Sequence, residues 1–431
     1  MEAKAQLKAD AELYDAAGKG PFSWYRAISS SERRAFWSCK LGYVLDAMDT
    51  QFLSFVIPTL IATWGITRGE AGLIGTVTLL TSAVGGWAAG VLSDRIGRVK
   101  TLQITILWFA IFTLVCALAQ NFTQLLWARG VMGIGFGGEW TAGAVLIGEV
   151  IRPRDRGKVV GVVQAGWAIG WGLSTLLYMI VFSFVPAEYA WRVLFAIGIA
   201  PAPFVIWIRR FVDEPDVHRR QKQAEAEART RPSPFDIFRA DIVWTTLRAS
   251  LLATGAQGGY YAVTTWLPTY LKTERHLSVI GTGSSLGVVI VGSYCGYLTG
   301  AYVSDSIGRK RTFITFALAS FAVALAYTRL PLDNLSMLAL GFPLGFCASG
   351  IFSGMGAFLT ELFPTRIRGS GQGFCYNFGR AVGATFPFLI GYVSQTMTLG
   401  HAIGVFAAAA YGVVILAALS LPETRGRQLQ S

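Results

Sequence analysis

Five charged side chains lie deep inside long apolar stretches of this 431-residue chain: Asp46, Asp49, Arg129, Glu139 and Arg380. Charge in hydrocarbon is costly, so residues of these types at such positions default to function as proton relays, counter-ions or ligand contacts. The three histidines, His218, His276 and His401, fall in loops or at a helix end. Proton coupling would therefore rest on carboxylates. At about 1.5 Å of rise per residue, Asp46 lies roughly 14 Å, Asp49 roughly 18 Å and Arg380 roughly 17 Å from the same membrane face. Arg129 enters from the other face at a depth of roughly 9 Å, and Glu139 sits roughly 15 Å further along the same helix. Asp49 is thus within reach of Arg129, and Asp46 is nearer Glu139.

These pairings define specific chemistry. Held against Arg129, Asp49 stays ionised; parted from it in a dry cavity, it takes a proton. A helix movement that makes or breaks the pair would bind or release one proton, unless the pair is permanent and only fixes packing. Asp46 and Glu139 can share a proton, or one of them can be simply protonated and hydrogen-bonded. Arg380 keeps its charge at any depth and can grip a carboxylate with two N–H groups. Asn377, one turn earlier, and Tyr376 can add donors. The alternative for Arg380 is a helix-end carbonyl or a buried acid as partner. Trp167, Tyr260 and Tyr261 can shape a pocket for a ring-bearing acid, or can be ordinary helix packing. Gln164 and Gln257 are polar, mid-helix and without another explanation.

The elements that position these residues are membrane spans. Apolar residues are 53% of the chain, charged residues 14%, and mean hydropathy is +0.48; that is too little charge to cover soluble domains of this size. Stretches of about 20 apolar residues, the length a bilayer requires, recur at 37–61, 71–92, 101–119, 123–148, 159–184, 190–210, 244–270, 279–302, 312–330, 336–361, 370–396 and 400–421. The expected fold is an all-α integral membrane protein of twelve transmembrane helices in two pseudo-symmetric six-helix bundles. Its parts are a cytoplasmic tail at 1–36, a bundle at 37–211, a cytoplasmic loop at 212–243, a second bundle at 244–421 and a cytoplasmic tail at 422–431. With the N-terminus cytoplasmic, 28 of the 37 Lys and Arg residues fall on the cytoplasmic side and five opposite, as the positive-inside rule demands. The net charge of +12 is therefore topological. Nucleic acid is not an expected partner. No cleavable leader is read in residues 1–36; Pro21–Tyr25 is either a membrane-surface segment or plain tail. The five cysteines fall in separate segments with no pairwise spacing, so neither a metal nor a cofactor is expected.

The halves repeat. Ser93-Asp94-Arg95-Ile96-Gly97-Arg98 returns as Ser304-Asp305-Ser306-Ile307-Gly308-Arg309, and Glu149, Arg154 and Arg156 return as Glu361, Arg366 and Arg368. Duplicated six-helix units with the solute site between them are a known transporter architecture. Gly90-Val91-Leu92-Ser93-Asp94-Arg95-Ile96-Gly97-Arg98-Val99-Lys100 resembles the loop signature of the major facilitator superfamily. Arg129-Gly130-Val131-Met132-Gly133-Ile134-Gly135-Phe136-Gly137-Gly138-Glu139 resembles its fourth helix, and Pro422-Glu423-Thr424-Arg425-Gly426 the exit of its last. Asp46-Ala47-Met48-Asp49 is similar to the paired-Asp motif of its organic-acid proton symporters of sialate, lactate and aromatic-acid type, although Ala-Met stands where that pattern has Gly or Phe. Asp49-Thr50 and Arg129 also match positions that couple protons in the sugar-porter branch.

The resemblance implies a secondary transporter rather than an enzyme: proton-coupled uptake of a small organic acid by alternating access in a bacterial inner membrane, acting as a monomer. Neutral-sugar symport is the alternative, and a transporter-like sensor a remote one. The repeated surface charges (Asp94, Arg95, Arg98, Glu149, Arg154, Arg156, Asp305, Arg309, Glu361, Arg366 and Arg368) read as a latch between helices that gates the cytoplasmic side.

Overall fold

The structure, a computed structural model, describes residues 23–151, 156–212, 234–363 and 368–424. Ser29 accepts from the Glu32 backbone N–H while Glu32 accepts from that of Ser29, a reciprocal cap that starts a helix. After a short helix α1 (Ser23–Ala27), α2 (Ser30–Trp64) begins on this cap and stops at Gly65, whose φ of 65° is the left-handed terminator. Thr67 and Glu70 repeat the cap for α3 (Arg68–Ile96). Then follow α4 (Arg98–Leu118), α5 (Phe122–Val150), α6 (Arg156–Gln164), α7 (Gly166–Phe184), α8 (Ala187–Ile197) and α9 (Pro201–Phe211). The second half holds α10 (Val243–Thr273), α11 (Val279–Ile307), α12 (Arg309–Arg329), α13 (Asn334–Ser353), α14 (Met355–Leu362), α15 (Arg368–Gly383), α16 (Thr385–Val393) and α17 (Leu399–Ser420).

The duplication is visible in backbone angles. Gly97 between α3 and α4 has φ 106° and ψ 158°; Gly308 between α11 and α12 has φ 100° and ψ 159°. Only glycine adopts this region without strain, so the repeated loop needs its glycine at the same place in both halves. Arg98 then donates to the Ser93 carbonyl, and Arg309 to the Ser304 hydroxyl, each at 3.0 Å.

All twelve apolar stretches are helical, but four are interrupted. Stretch 159–184 becomes α6 and α7, 190–210 becomes α8 and α9, 336–361 becomes α13 and α14, and 370–396 becomes α15 and α16. Ala165, Gly354 and Ala384 at three of the junctions keep right-handed helical angles. These three spans therefore bend without turning back, which an apolar run cannot reveal. α2 also begins before residue 37, because Ser29 caps it there. Pro21–Tyr25 differs from both expectations where it is described: Trp24 is buried on Phe36, with ring centroids 5.6 Å apart, and Tyr25 accepts from the Trp37 indole. It is part of the packed first bundle.

In the first bundle α5 packs on α3 and α4, and α2 on α7; in the second, α10 packs on α15 and α17, α11 on α13, and α12 on α17. The halves meet where α3 lies on α15 and α16, and α11 on α6 and α7, a two-fold arrangement with α2 and α10 also in contact at its centre. At the Arg68 end of this seam the chain closes backbone on backbone. A Cβ on Gly72 would strike the Pro387 carbonyl, and one on Gly391 the Arg68 carbonyl. The outer surface carries exposed Leu, Ile, Phe and Trp side chains such as Trp87, Trp127, Phe184 and Leu416. Among the described residues, eight helical stretches are long and apolar enough to cross a bilayer by themselves. This is the twelve-helix, two-bundle membrane architecture.

Candidate functional site

The uninterrupted helices α2, α5 and α10, with α15, carry the buried polar residues to the centre. Asp46, Asp49, Arg129, Glu139 and Arg380 are all buried. Arg129 of α5 donates from Nη1 to Asp49 Oδ2 of α2 at 3.3 Å, and its guanidinium lies 5.4 Å from the Phe195 ring centroid. The Thr113 hydroxyl lies against the same carboxylate. Arg129 Nε and Asp49 Oδ1 have no hydrogen-bond partner. The contact is one-pronged in a dry setting, which leaves it easier to part than a two-pronged one.

Asp46 and Glu139 adjoin, close enough to hydrogen-bond when one carries a proton. Glu139 Oε1 fits against Gly42, where a Cβ would displace it. Two carboxyl groups this close in a dry interior cannot both be charged. No donor-bearing neighbour hydrogen-bonds Asp46.

Arg380 reaches from α15 across the seam. Its guanidinium lies 5.3 Å from the centroids of Phe136 of α5 and Tyr376. Tyr43, Tyr261 and Asp46 surround it, with the Tyr261 hydroxyl in hydrogen-bonding reach. Among the described residues, Nε and Nη1 have no hydrogen-bond partner. A buried N–H without an acceptor is expensive, and a carboxylate is the acceptor a guanidinium binds most strongly. The surrounding aromatics are tied together. Trp167 donates to Tyr260 at 2.6 Å, joining α7 to α10. Tyr261 donates to Gln257 at 3.2 Å, and Gln257 donates to the Tyr376 carbonyl at 2.8 Å. Tyr43 donates to Gln164 at 3.2 Å and packs on Trp140 and Trp167.

Arg380, Tyr376, Tyr260, Tyr261, Gln257, Gln164 and Trp167 thus gather in one region. Asn377 stands slightly apart: its amide donates to the Gly373 carbonyl and lies against Gly86 of α3. Sequence reasoning missed Tyr43 and Phe136. Both sit on helices whose charges it had selected, and Tyr43 lies one turn before Asp46 on α2, which is the signal that could have found it.

Among the candidate gating residues, Arg309 pairs with Glu361 at 3.1 Å. Glu361 also accepts from the Thr424 hydroxyl, and Glu423 accepts from the Arg309 and Lys310 backbone N–H groups. These contacts tie α12, α14 and the chain after α17 together inside the second bundle. Arg98 is buried beside Ser93. Arg154 and Arg366 lie outside the described residues, as do the side chains of Asp94, Arg95, Glu149, Arg156, Asp305 and Arg368.

Two duplicated bundles closed around a polar, aromatic-walled centre define a multi-pass membrane transporter that works by alternating access, not an enzyme. The chain belongs to the Major Facilitator Superfamily, whose family model matches residues 41–300 and 286–430. It is 41% identical over 413 residues to a probable 4-methylmuconolactone transporter of Cupriavidus pinatubonensis, covering 95% of each chain. It is 31% identical over 422 residues to the cis,cis-muconate transport protein of Acinetobacter baylyi, covering 94% of this chain and 98% of that one. The fold is similar to the crystal structure of a D-xylose–proton symporter, with a TM-score of 0.71 and 21% identity, over 93% of this chain and 100% of that one.

Proposed function

We propose that this protein carries a small organic acid anion inward together with a proton, as a monomer in a bacterial inner membrane, with both termini cytoplasmic. The observation that carries this reading is Arg380: a buried guanidinium with two N–H groups lacking acceptors, walled by Phe136, Tyr376 and Tyr261. Its charge, geometry and aromatic surround suit a carboxylate on a ring or unsaturated frame. Relatives named for 4-methylmuconolactone and cis,cis-muconate support that chemical class. Asp49 would take the proton when Arg129 moves away, and Asp46 with Glu139 would hold a shared proton beside the anion site. Arg309, Glu361 and the segment through Thr424 would brace the cytoplasmic end of the second bundle so that it moves as one body. Their charged counterparts in the first half would do the same there.

Uptake of labelled monocarboxylates into cells, with and without a protonophore, tests the proposal. Arg380→Ala should abolish uptake. Arg380→Lys should weaken it by at least about tenfold, since an ammonium keeps the charge but loses the paired N–H geometry. An alanine variant with unchanged affinity for the acid, or a neutral sugar as the wild-type substrate, would return Arg380 to packing.

A further inference from the structure

A small cavity opens on the side of the Trp167–Tyr260 contact that faces Arg129. Thr50, Gln51, Arg129, Trp167, Tyr260 and Tyr261 are among the residues that line it. Tyr261 is the wall it shares with Arg380, because the same hydroxyl lies within reach of that guanidinium. Gln51 in its lining is 4% exposed, and among the described residues neither its amide Nε2 nor the neighbouring Thr50 hydroxyl has a hydrogen-bond partner. Thr78 and Thr264 instead spend their protons on helix carbonyls, at 2.8 and 2.9 Å. Two buried donors on one turn of α2 are thus left without acceptors beside this cavity, a costly arrangement unless an acceptor arrives there.

We propose that Gln51 and Thr50 form the distal pole of the substrate site and that they recognise a neutral oxygen acceptor at the opposite end of the acid from its carboxylate. This rests on Arg380 holding the carboxylate. Asp46, which lies beside Arg380, and Gln51 are five residues apart on one helix, a rise of about 7.5 Å. That is about the length of a six-membered ring bearing a substituent at each end. Leu53, Leu79, Trp167 and Tyr260 give the ring an apolar and aromatic sleeve.

Charge decides which acceptor fits. The cation nearest the distal pole, Arg129, is already matched by Asp49. While that pair is intact, a second carboxylate would enter a dry space with no free positive charge to meet it. A ketone, ester or lactone oxygen needs only the donors that Gln51 and Thr50 supply. The preferred substrate is a monocarboxylate with a distal carbonyl, over a diacid of the same frame.

The test uses purified full-length protein in lipid nanodiscs and three probes on one frame: 4-oxocyclohexanecarboxylate, cyclohexanecarboxylate and cyclohexane-1,4-dicarboxylate. Wild-type protein should bind the keto acid about tenfold more tightly than the bare acid, the factor one well-placed hydrogen bond gives, and the diacid no better than the bare acid. Gln51→Leu should erase the keto preference while leaving affinity for the bare acid within about twofold. Thr50→Val, which keeps the side-chain shape, should lower the preference about threefold and covers the case in which the leucine variant does not fold. Equal weakening of keto and bare acid in both variants would reduce these residues to packing. A persistent keto preference, a preference for the diacid, or no binding of any probe to wild-type protein would each overturn the proposal. Arg380→Ala separates the two readings. If it leaves all three affinities unchanged, the carboxylate assignment fails; if it removes binding while Gln51→Leu changes nothing, only the distal pole fails.

Discussion

Removing one member of the Asp49–Arg129 pair at a time should give losses that differ in their response to pH. The pair is sealed from solvent and joined by a single 3.3 Å contact. Orphaning one partner of a buried pair typically costs about 3–5 kcal/mol. In Asp49→Asn the survivor is a guanidinium, which cannot shed its charge at any working pH, and the Phe195 ring and Met132 sulfur beside it do not neutralise it. In Arg129→Met the survivor is a carboxylate, which escapes by carrying a proton in the folded state and releasing it on unfolding. That escape caps the penalty at about 1.4 kcal/mol for each pH unit above the ordinary aspartate value near 3.9, or about 4 kcal/mol at pH 7 and about 1.5 kcal/mol at pH 5. The folded variant binds the extra proton, so its stability relative to wild type rises as pH falls. Arg129→Met should therefore recover about 2–3 kcal/mol between pH 7 and pH 5, and Asp49→Asn should recover nothing. The double variant buries no charge and should lie closer to wild type than either single one at pH 7. Denaturant unfolding in detergent micelles at the two pH values, each variant referred to wild type at the same pH, measures this. Identical pH responses of the two single variants, or a double variant as unstable as the sum of both, would refute the reasoning.

Four further outcomes follow from the geometry. Asp49→Asn should lose accumulation driven by an imposed pH gradient while retaining counterflow exchange, measured in proteoliposomes. Glu361→Gln should cut turnover roughly tenfold or more while changing apparent affinity much less, because it unties Arg309 and Thr424 without touching the central site. Gly137→Ala should fail to give folded protein by size-exclusion chromatography, because its Cβ would overlap the Ser82 carbonyl where α5 crosses α3. Trp167→Phe, which removes the 2.6 Å bond to Tyr260, should weaken acid binding by about three- to tenfold in a direct binding assay.

The twelve spans and the duplication were legible because a bilayer imposes a length and a composition that any local window detects. The glycine at the two repeated loops could be matched by eye for the same reason. The interruptions at Ala165, Gly354 and Ala384 left no such trace, since those residues keep right-handed helical angles. Depth along a helix, read from rise per residue, brings Asp49 opposite Arg129 and Asp46 opposite Glu139, which is where the structure has them. Direction around a helix was less accessible. Asn377 is one turn from Arg380, yet its amide turns to Gly373 and α3. Phe136 and Tyr43 passed unnoticed because an aromatic residue in an apolar run has no distinguishing mark until its neighbours across the seam are known.

The seam at the Arg68 end is a mechanical stop. Gly72 rests on the Pro387 carbonyl, Gly391 on the Arg68 carbonyl, and Arg68 itself donates to the Ser394 carbonyl at 3.4 Å. Nothing in those contacts takes up or releases a proton within the range a cell experiences. A proton gradient has no handle there, and acidifying the medium cannot loosen that mouth directly. Under the proposed coupling, the command to open it comes from the interior, through the carboxylates on α2, and arrives as a tilt of that helix and its neighbours rather than as a change of charge at the seam.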